Sequence, residues 1–96
     1  HRLTIAVYGH AGDGNIHPSV LCDLSKPGEE ERVHRAVEEL FDATLAVGGT
    51  LSGEHGIGIT KRPYIAKALG ESGVKALGAV KQALDPKGIL NPGKIW

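Results

Sequence analysis

The chain contains no methionine and is poor in cysteine, tryptophan and phenylalanine, each of which occurs once. A single cysteine can form neither an internal disulfide nor a multi-thiolate metal cluster, and the apolar neighbours of Cys22 predict a small core residue. The net charge is zero, so no broad positive field attracts nucleic acid or anionic lipid. No apolar run reaches the roughly 18 residues that span a bilayer, and no signal-peptide pattern is visible. We therefore expect a cytoplasmic location.

The absence of methionine also bears on the extent of the chain. A natural reading frame begins with methionine, so we expect the 96 residues to be a fragment excised from a longer protein. Apolar residues make up 41% and charged residues 23%, which is typical of a folded globular segment. Residues 1–96 therefore fit at most one small domain.

Two β-rich segments open the chain and predict a hairpin. Arg2 to Tyr8 alternates apolar residues on one face, and a second β-rich segment runs from about Ile16 to Leu24. The segment from Gly9 to Gly14 contains three glycines, which predicts a wide glycine loop joining the two strands.

Helical signals follow. Three glutamates predict a helix start near Glu29, an apolar stripe continues to about Val47, and a glycine pair predicts the stop. Thr50 to Ser52 predicts a third strand, and helices are expected over Pro63–Leu69, closed by Gly70, and from Ser72 to Leu84. The fold class predicted is α+β, with a small antiparallel sheet packed by three helices.

Two histidines near the hairpin turn are candidate metal ligands. If the strands pair as predicted, His10 and His17 face each other, and both imidazoles can reach one ion. Glu54, in the glycine-rich loop from Gly53 to Gly58, is the best third ligand available. Two imidazoles and one carboxylate would leave positions open for a substrate. Histidines at this spacing also occur as hydrogen-bonded structural residues, and spacing alone leaves both readings open.

Three motifs carry a resemblance to a known family. The segments GHAGDGNIH (residues 9–17), SGEHGIG (residues 52–58) and LDPKGILNPGK (residues 84–94) resemble the C-terminal domain of FAD-linked oxidases, within the vanillyl-alcohol oxidase superfamily. Members include the glycolate oxidase flavoprotein subunit, D-lactate dehydrogenase and D-2-hydroxyglutarate dehydrogenase. The resemblance implies that residues 1–96 are the C-terminal fragment of a cap or substrate domain, part of a larger ferredoxin-like-type domain.

The resemblance also implies roles for individual residues. A divalent metal, namely zinc, manganese or iron, would be held at the matching positions, and a general base would lie beside them. The positions that match the family's site are the metal ligands His10, His17 and Glu54, the base His55, and the cofactor-binding residues Asn15 and Asn91. Where the hydroxyglutarate branch has an asparagine two residues after the second histidine, this chain has Ser19, which leaves the substrate open. The motif SGEHGIG favours the glycolate or lactate branch.

The function implied is oxidation of a small 2-hydroxy acid to the 2-oxo acid by the FAD-dependent parent protein. An upstream FAD-binding domain and electron-transfer subunits are the expected partners, the latter with the capacity to bring the protein to a membrane. The isolated fragment is expected to be inactive and able to self-associate. Two alternatives stay open at this point: a non-catalytic metal-binding or interaction module, and a family member that keeps FAD without the metal.

Overall fold

The first 48 residues form one of two compact units in the computed structural model, which describes residues 1–96 in full. A two-stranded antiparallel sheet consists of β1 (Thr4–His10) and β2 (Asn15–Leu21). The predicted hairpin is confirmed, but its loop is a turn of residues 11–14 because Gly9 and His10 remain in β1. A Cβ atom on Gly9 would lie 2.1 Å from the carbonyl oxygen of Asn15. Glycine is therefore needed here for close strand approach.

The pairing register gives the sheet two unlike faces. Ile5 pairs with Val20 and Gly9 pairs with Ile16, and the side chains of these pairs form an apolar face. Ile16 is 67% exposed whereas Val20 is half-buried, so this face is only partly covered within the chain. Cys22 follows β2 and is also exposed, and the prediction of a core cysteine is therefore wrong. That prediction depended on the apolar neighbours of Cys22, and one of them, Leu21, is itself 58% exposed.

One helix, α1 (Glu29–Ala46), completes the first unit. It begins at the predicted residue, and Glu29 pairs with Arg32 in its first turn. The apolar stripe is half-buried along the helix, and every one of its predicted members has intermediate exposure: Val33, Val37, Leu40, Phe41, Thr44 and Leu45. The helix makes little contact with the hairpin, so the stripe is only partly covered.

Residues 49–96 form the second unit, in which a short 3-10 turn (Arg62–Tyr64) leads into α2 (Ile65–Leu84). Gly70 has non-helical dihedral angles, φ 65° and ψ 172°, so α2 consists of two helical segments joined by a kink. The predicted interruption at Gly70 is confirmed. The two predicted helices are joined through the kink, so with α1 the chain has two α-helices rather than three.

The predicted third strand is absent. Thr50 to Ser52 carries no ladder because the second unit contains no strand with which it could pair. Leu51 is nevertheless buried, at 5% exposure, and together with Ile65 at 7% it forms the buried apolar core. Other large apolar side chains of α2 are exposed, among them Leu77 and Leu84. The large apolar side chains of this helix are thus largely uncovered within the chain.

The class is α+β, as predicted, with one hairpin and two helices. No helix of the chain combines the length and the apolar character needed to cross a lipid bilayer.

Candidate metal centre

The polar face of the hairpin positions the two candidate histidines. Tyr8 pairs with His17, and His10 pairs with Asn15, so all four side chains lie on the same face of the sheet. The prediction that His10 and His17 face each other directly is wrong, because the four-residue turn puts His10 opposite Asn15 instead. The two histidines are diagonal neighbours, a relationship in which long or aromatic side chains still reach each other.

The imidazole rings of His10 and His17 do meet across the strands. Their centroids are 5.6 Å apart, and the rings are nearly perpendicular, at 82°. One ring nitrogen of each lies within 4.8 Å of the other. Nitrogen ligands bind divalent transition metals at about 2.1 Å, so modest side-chain rotation would let both bind one ion. Imidazole nitrogen is a suitable ligand for zinc and iron, so the donor atoms of the two histidines fit a divalent ion of this kind.

Tyr8 is a further residue of this face that the sequence analysis missed. Its ring stacks on the His17 imidazole, with centroids 5.5 Å apart and an interplanar angle of 21°. The hydroxyl group of Ser19 donates a hydrogen bond to the Tyr8 hydroxyl oxygen at 3.3 Å. The available signal was the spacing of two residues from His10, which puts Tyr8 on the same face of a strand.

The second unit carries Glu54 and His55 together in one glycine-rich loop. The Oε1 atom of Glu54 lies 3.8 Å from the Nε2 atom of His55. The side chain of Glu54 is 46% exposed and that of His55 is 73% exposed, so solvent and small molecules reach both. A charged carboxylate and an imidazole side by side can together bind a cation and accept a proton.

An open cleft of about 390 Å³ adjoins this loop. Leu51, Ser52, Glu54, Ile57 and Leu69 are among the residues that line it. The Ser52 hydroxyl oxygen is buried and has no hydrogen-bond partner. The lining is therefore mostly apolar with a carboxylate at one position, an arrangement typical of sites for small organic molecules.

Asn91 lies in the tail after α2, where its backbone has a positive φ of 47°. The preceding segment is firmly held. The Asp85 carboxylate accepts the backbone N–H groups of Ile89 at 3.0 Å and Leu90 at 2.9 Å. Lys81 Nζ donates to the carbonyl oxygen of Leu90 at 2.6 Å. These bonds fix the backbone on the N-terminal side of Asn91.

The two remaining histidines accompany surface carboxylates. His1 Nε2 lies 3.0 Å from Glu39, and His34 Nε2 lies 3.9 Å from Glu30 on α1. The His34 side chain is 68% exposed. It is therefore a surface histidine and provides a matched control for the hairpin histidines.

Comparison with known proteins places these residues in a family context. The family described as FAD linked oxidases, C-terminal domain, matches residues 1–95. The glycolate oxidase subunit GlcD of Bacillus subtilis is 46% identical over the whole chain, which covers 20% of that protein. GlcD of Escherichia coli K12 is 42% identical over 98% of the chain and 19% of that protein. A mitochondrial D-lactate dehydrogenase [cytochrome] of Saccharomyces cerevisiae is 42% identical over 99% of the chain and 16% of its own length. The chain thus spans a fifth or less of these relatives.

Proposed function

Because the chain belongs to the family of C-terminal domains of FAD-linked oxidases, we propose that it is the metal-binding part of an FAD-dependent enzyme that oxidises a small 2-hydroxy acid. The observation that carries this proposal is the meeting of His10 and His17 on one face of the hairpin. Relatives named glycolate oxidase subunit and D-lactate dehydrogenase support a substrate of the glycolate or D-lactate type.

His10 and His17 would hold a divalent ion, with zinc, manganese and iron as the candidates, and Glu54 would supply the third ligand. Segments of the protein outside residues 1–96 would provide most of the FAD site. Asn15, directly opposite His10, and Asn91, in the firmly held tail, are the proposed contacts to the cofactor. The cleft beside Glu54 has the volume of a small-molecule site.

Each group has a defined task in the reaction. When bound, the divalent ion would lower the pKa of the substrate hydroxyl, and FAD would accept the hydride from the adjacent carbon. His55 would take the hydroxyl proton on a ring nitrogen, which requires a neutral imidazole within hydrogen-bond reach. Glu54 would hold its carboxylate beside this base, since one loop carries both side chains.

The partners follow from this assignment. The small hydroxy acid is the substrate, the FAD-binding domain of the same protein is the main structural partner, and electron-transfer subunits would take the electrons onward. We expect residues 1–96 alone to be inactive, because the hydride acceptor would be missing.

The test of the metal site uses the complete protein. His10→Ala and Glu54→Gln should each abolish bound metal in elemental analysis. Each should also lower turnover more than about 100-fold, which is a larger loss than mutation of a residue that only supports a metal ligand causes. Flavin absorbance should be retained. The matched control, His34→Ala, removes an exposed histidine of α1 and should change neither metal content nor turnover. Full turnover of metal-free protein would exclude the metal from the mechanism.

A second arm separates the base from the ligands. His55→Asn should keep the metal but slow flavin reduction by about 10²–10⁴-fold in single-turnover measurements, because proton removal loses its acceptor. Reduction at the wild-type rate would rule out His55 as the base.

A further inference from the structure

We propose that Tyr8 is a positioning residue that fixes the ring plane of His17 for metal binding, and that Ser19 in turn holds Tyr8. The inference rests on the proposed metal site. Tyr8 is the direct cross-strand partner of His17, and the two rings stack at 5.5 Å with 21° between their planes. Directly paired residues on a sheet face are the closest side-chain neighbours across two strands.

The ring plane matters because imidazole binds a metal through a nitrogen lone pair that lies in that plane. His17 is bounded on two sides: Tyr8 covers a face of the ring, and His10 stands nearly perpendicular to it at 5.6 Å. A ring packed in this way has fewer orientations to lose when it binds an ion. Preorganisation of this kind increases affinity without adding a ligand.

Ser19 contacts the Tyr8 hydroxyl on the side away from the turn. Its hydroxyl group donates to Tyr8 Oη at 3.3 Å, and Ser19 lies two residues beyond His17 on the same face. Along this face the order from the turn is His10 with Asn15, then Tyr8 with His17, then Ser19. The Tyr8 hydroxyl therefore points away from His10. Tyr8 acts through His17 and is not itself a ligand.

The same contact gives Ser19 a structural role on the site face. Its short side chain reaches the Tyr8 hydroxyl, and the residue opposite it, Ala6, is too small to compete for that space.

Cobalt(II) binding to metal-free complete protein tests the proposal. We expect Tyr8→Leu, which keeps an apolar side chain but loses the aromatic ring, to raise the Kd for Co²⁺ about tenfold, as loss of a supporting residue does. The ligand-field spectrum should broaden or shift because His17 is less well oriented. Tyr8→Phe keeps the ring and should bind within about threefold of wild type, and Ser19→Ala, which removes the same hydrogen bond, should fall in the same range.

Val7→Ala is the matched control. Val7 neighbours Tyr8 in β1, is 64% exposed as Tyr8 is, and lies on the opposite face. It should leave Kd and spectrum unchanged. Wild-type affinity and spectrum for Tyr8→Leu would overturn the positioning role while leaving the metal site intact. Equal weakening by Tyr8→Leu and Tyr8→Phe would overturn the role of ring stacking, because the effect would then belong to the hydroxyl. Absence of Co²⁺ binding by the wild-type protein would overturn the proposed metal site and this inference with it.

Discussion

Lys81 and Asp85 form an ion pair one helical turn apart at the end of α2, and both side chains also bind the backbone that follows. The hydrogen bond from Lys81 is the main cause that lowers the pKa of Asp85 below its ordinary value, and the N–H groups of Leu90 and Ile89 act in the same direction. Burial opposes them, since Asp85 is only 5% exposed. The ionised carboxylate thus stabilises the turn after α2.

Asp85→Asn should therefore destabilise the complete protein in a pH-dependent way. A lowered folded-state pKa contributes stability above the unfolded-state value of about 3.9, and that contribution is lost as pH falls through the folded-state pKa. Thermal unfolding should show the largest gap between wild type and variant near neutral pH, with the gap closing below about pH 4. Glu71→Gln, at an exposed position of α2, is the control. A gap that does not vary with pH would contradict the assignment.

Gly9→Ala should separate the strands next to His10. The added methyl group would lie 2.1 Å from the Asn15 carbonyl oxygen, which is backbone and cannot rotate away. We expect a loss of about 1–3 kcal/mol in the free energy of unfolding, typical of overpacking, together with weaker metal binding. Gly12→Ala in the turn meets no atom within 4 Å and is the control. Equal stability of the two variants in urea titrations would show that β1 and β2 can move apart without cost.

Two glycines of α2 should respond to alanine in opposite directions. Gly70 has φ 65° and ψ 172°, a conformation that alanine adopts at a cost of about 1–3 kcal/mol, although open space surrounds it. Gly78 lies in the regular part of the helix, and an added methyl group would meet the Trp96 ring at an ordinary 3.7 Å. Gly78→Ala should therefore stabilise the helix by about 0.5–1 kcal/mol.

Native-state hydrogen exchange of the α2 amides in the complete protein measures both effects. Slower exchange in Gly78→Ala and faster exchange in Gly70→Ala are expected. Faster exchange in both variants would mean that the Trp96 contact is too tight for a methyl group.

Local signals predicted the secondary structure where they depend on nearby residues alone. The glutamate cluster placed the start of α1, and Gly70 interrupts α2 where the sequence predicted. The third strand failed because a strand needs a partner, and pairing is not encoded in the three residues Thr50 to Ser52. Gly9 was assigned to a loop because composition does not distinguish a flexible glycine from one that permits close backbone approach.

The candidate site shows the same limit. The spacing of His10 and His17 predicts that both lie on one hairpin. Their diagonal relationship depends on the length of the turn, which cannot be predicted from a segment with several glycines. Tyr8 was overlooked because a tyrosine in a strand is ordinary, and only the register makes it the partner of His17. The role of Glu54 follows from its oxygen donor as well as from the motifs, and those of His55, Asn15 and Asn91 follow from the motifs alone. All four stay predictions.

The hairpin described above also has a consequence for handling residues 1–96 on their own. Each strand has a single neighbour, so the outer edge of each presents N–H and C=O groups that a strand of another molecule can use. Val7 and Ile16 add uncovered apolar side chains, and Pro18 removes only one donor. Such a ribbon is a template for intermolecular β-sheet growth. Val7→Lys would oppose that growth, because each molecule added to the sheet would bring another positive charge close to the first.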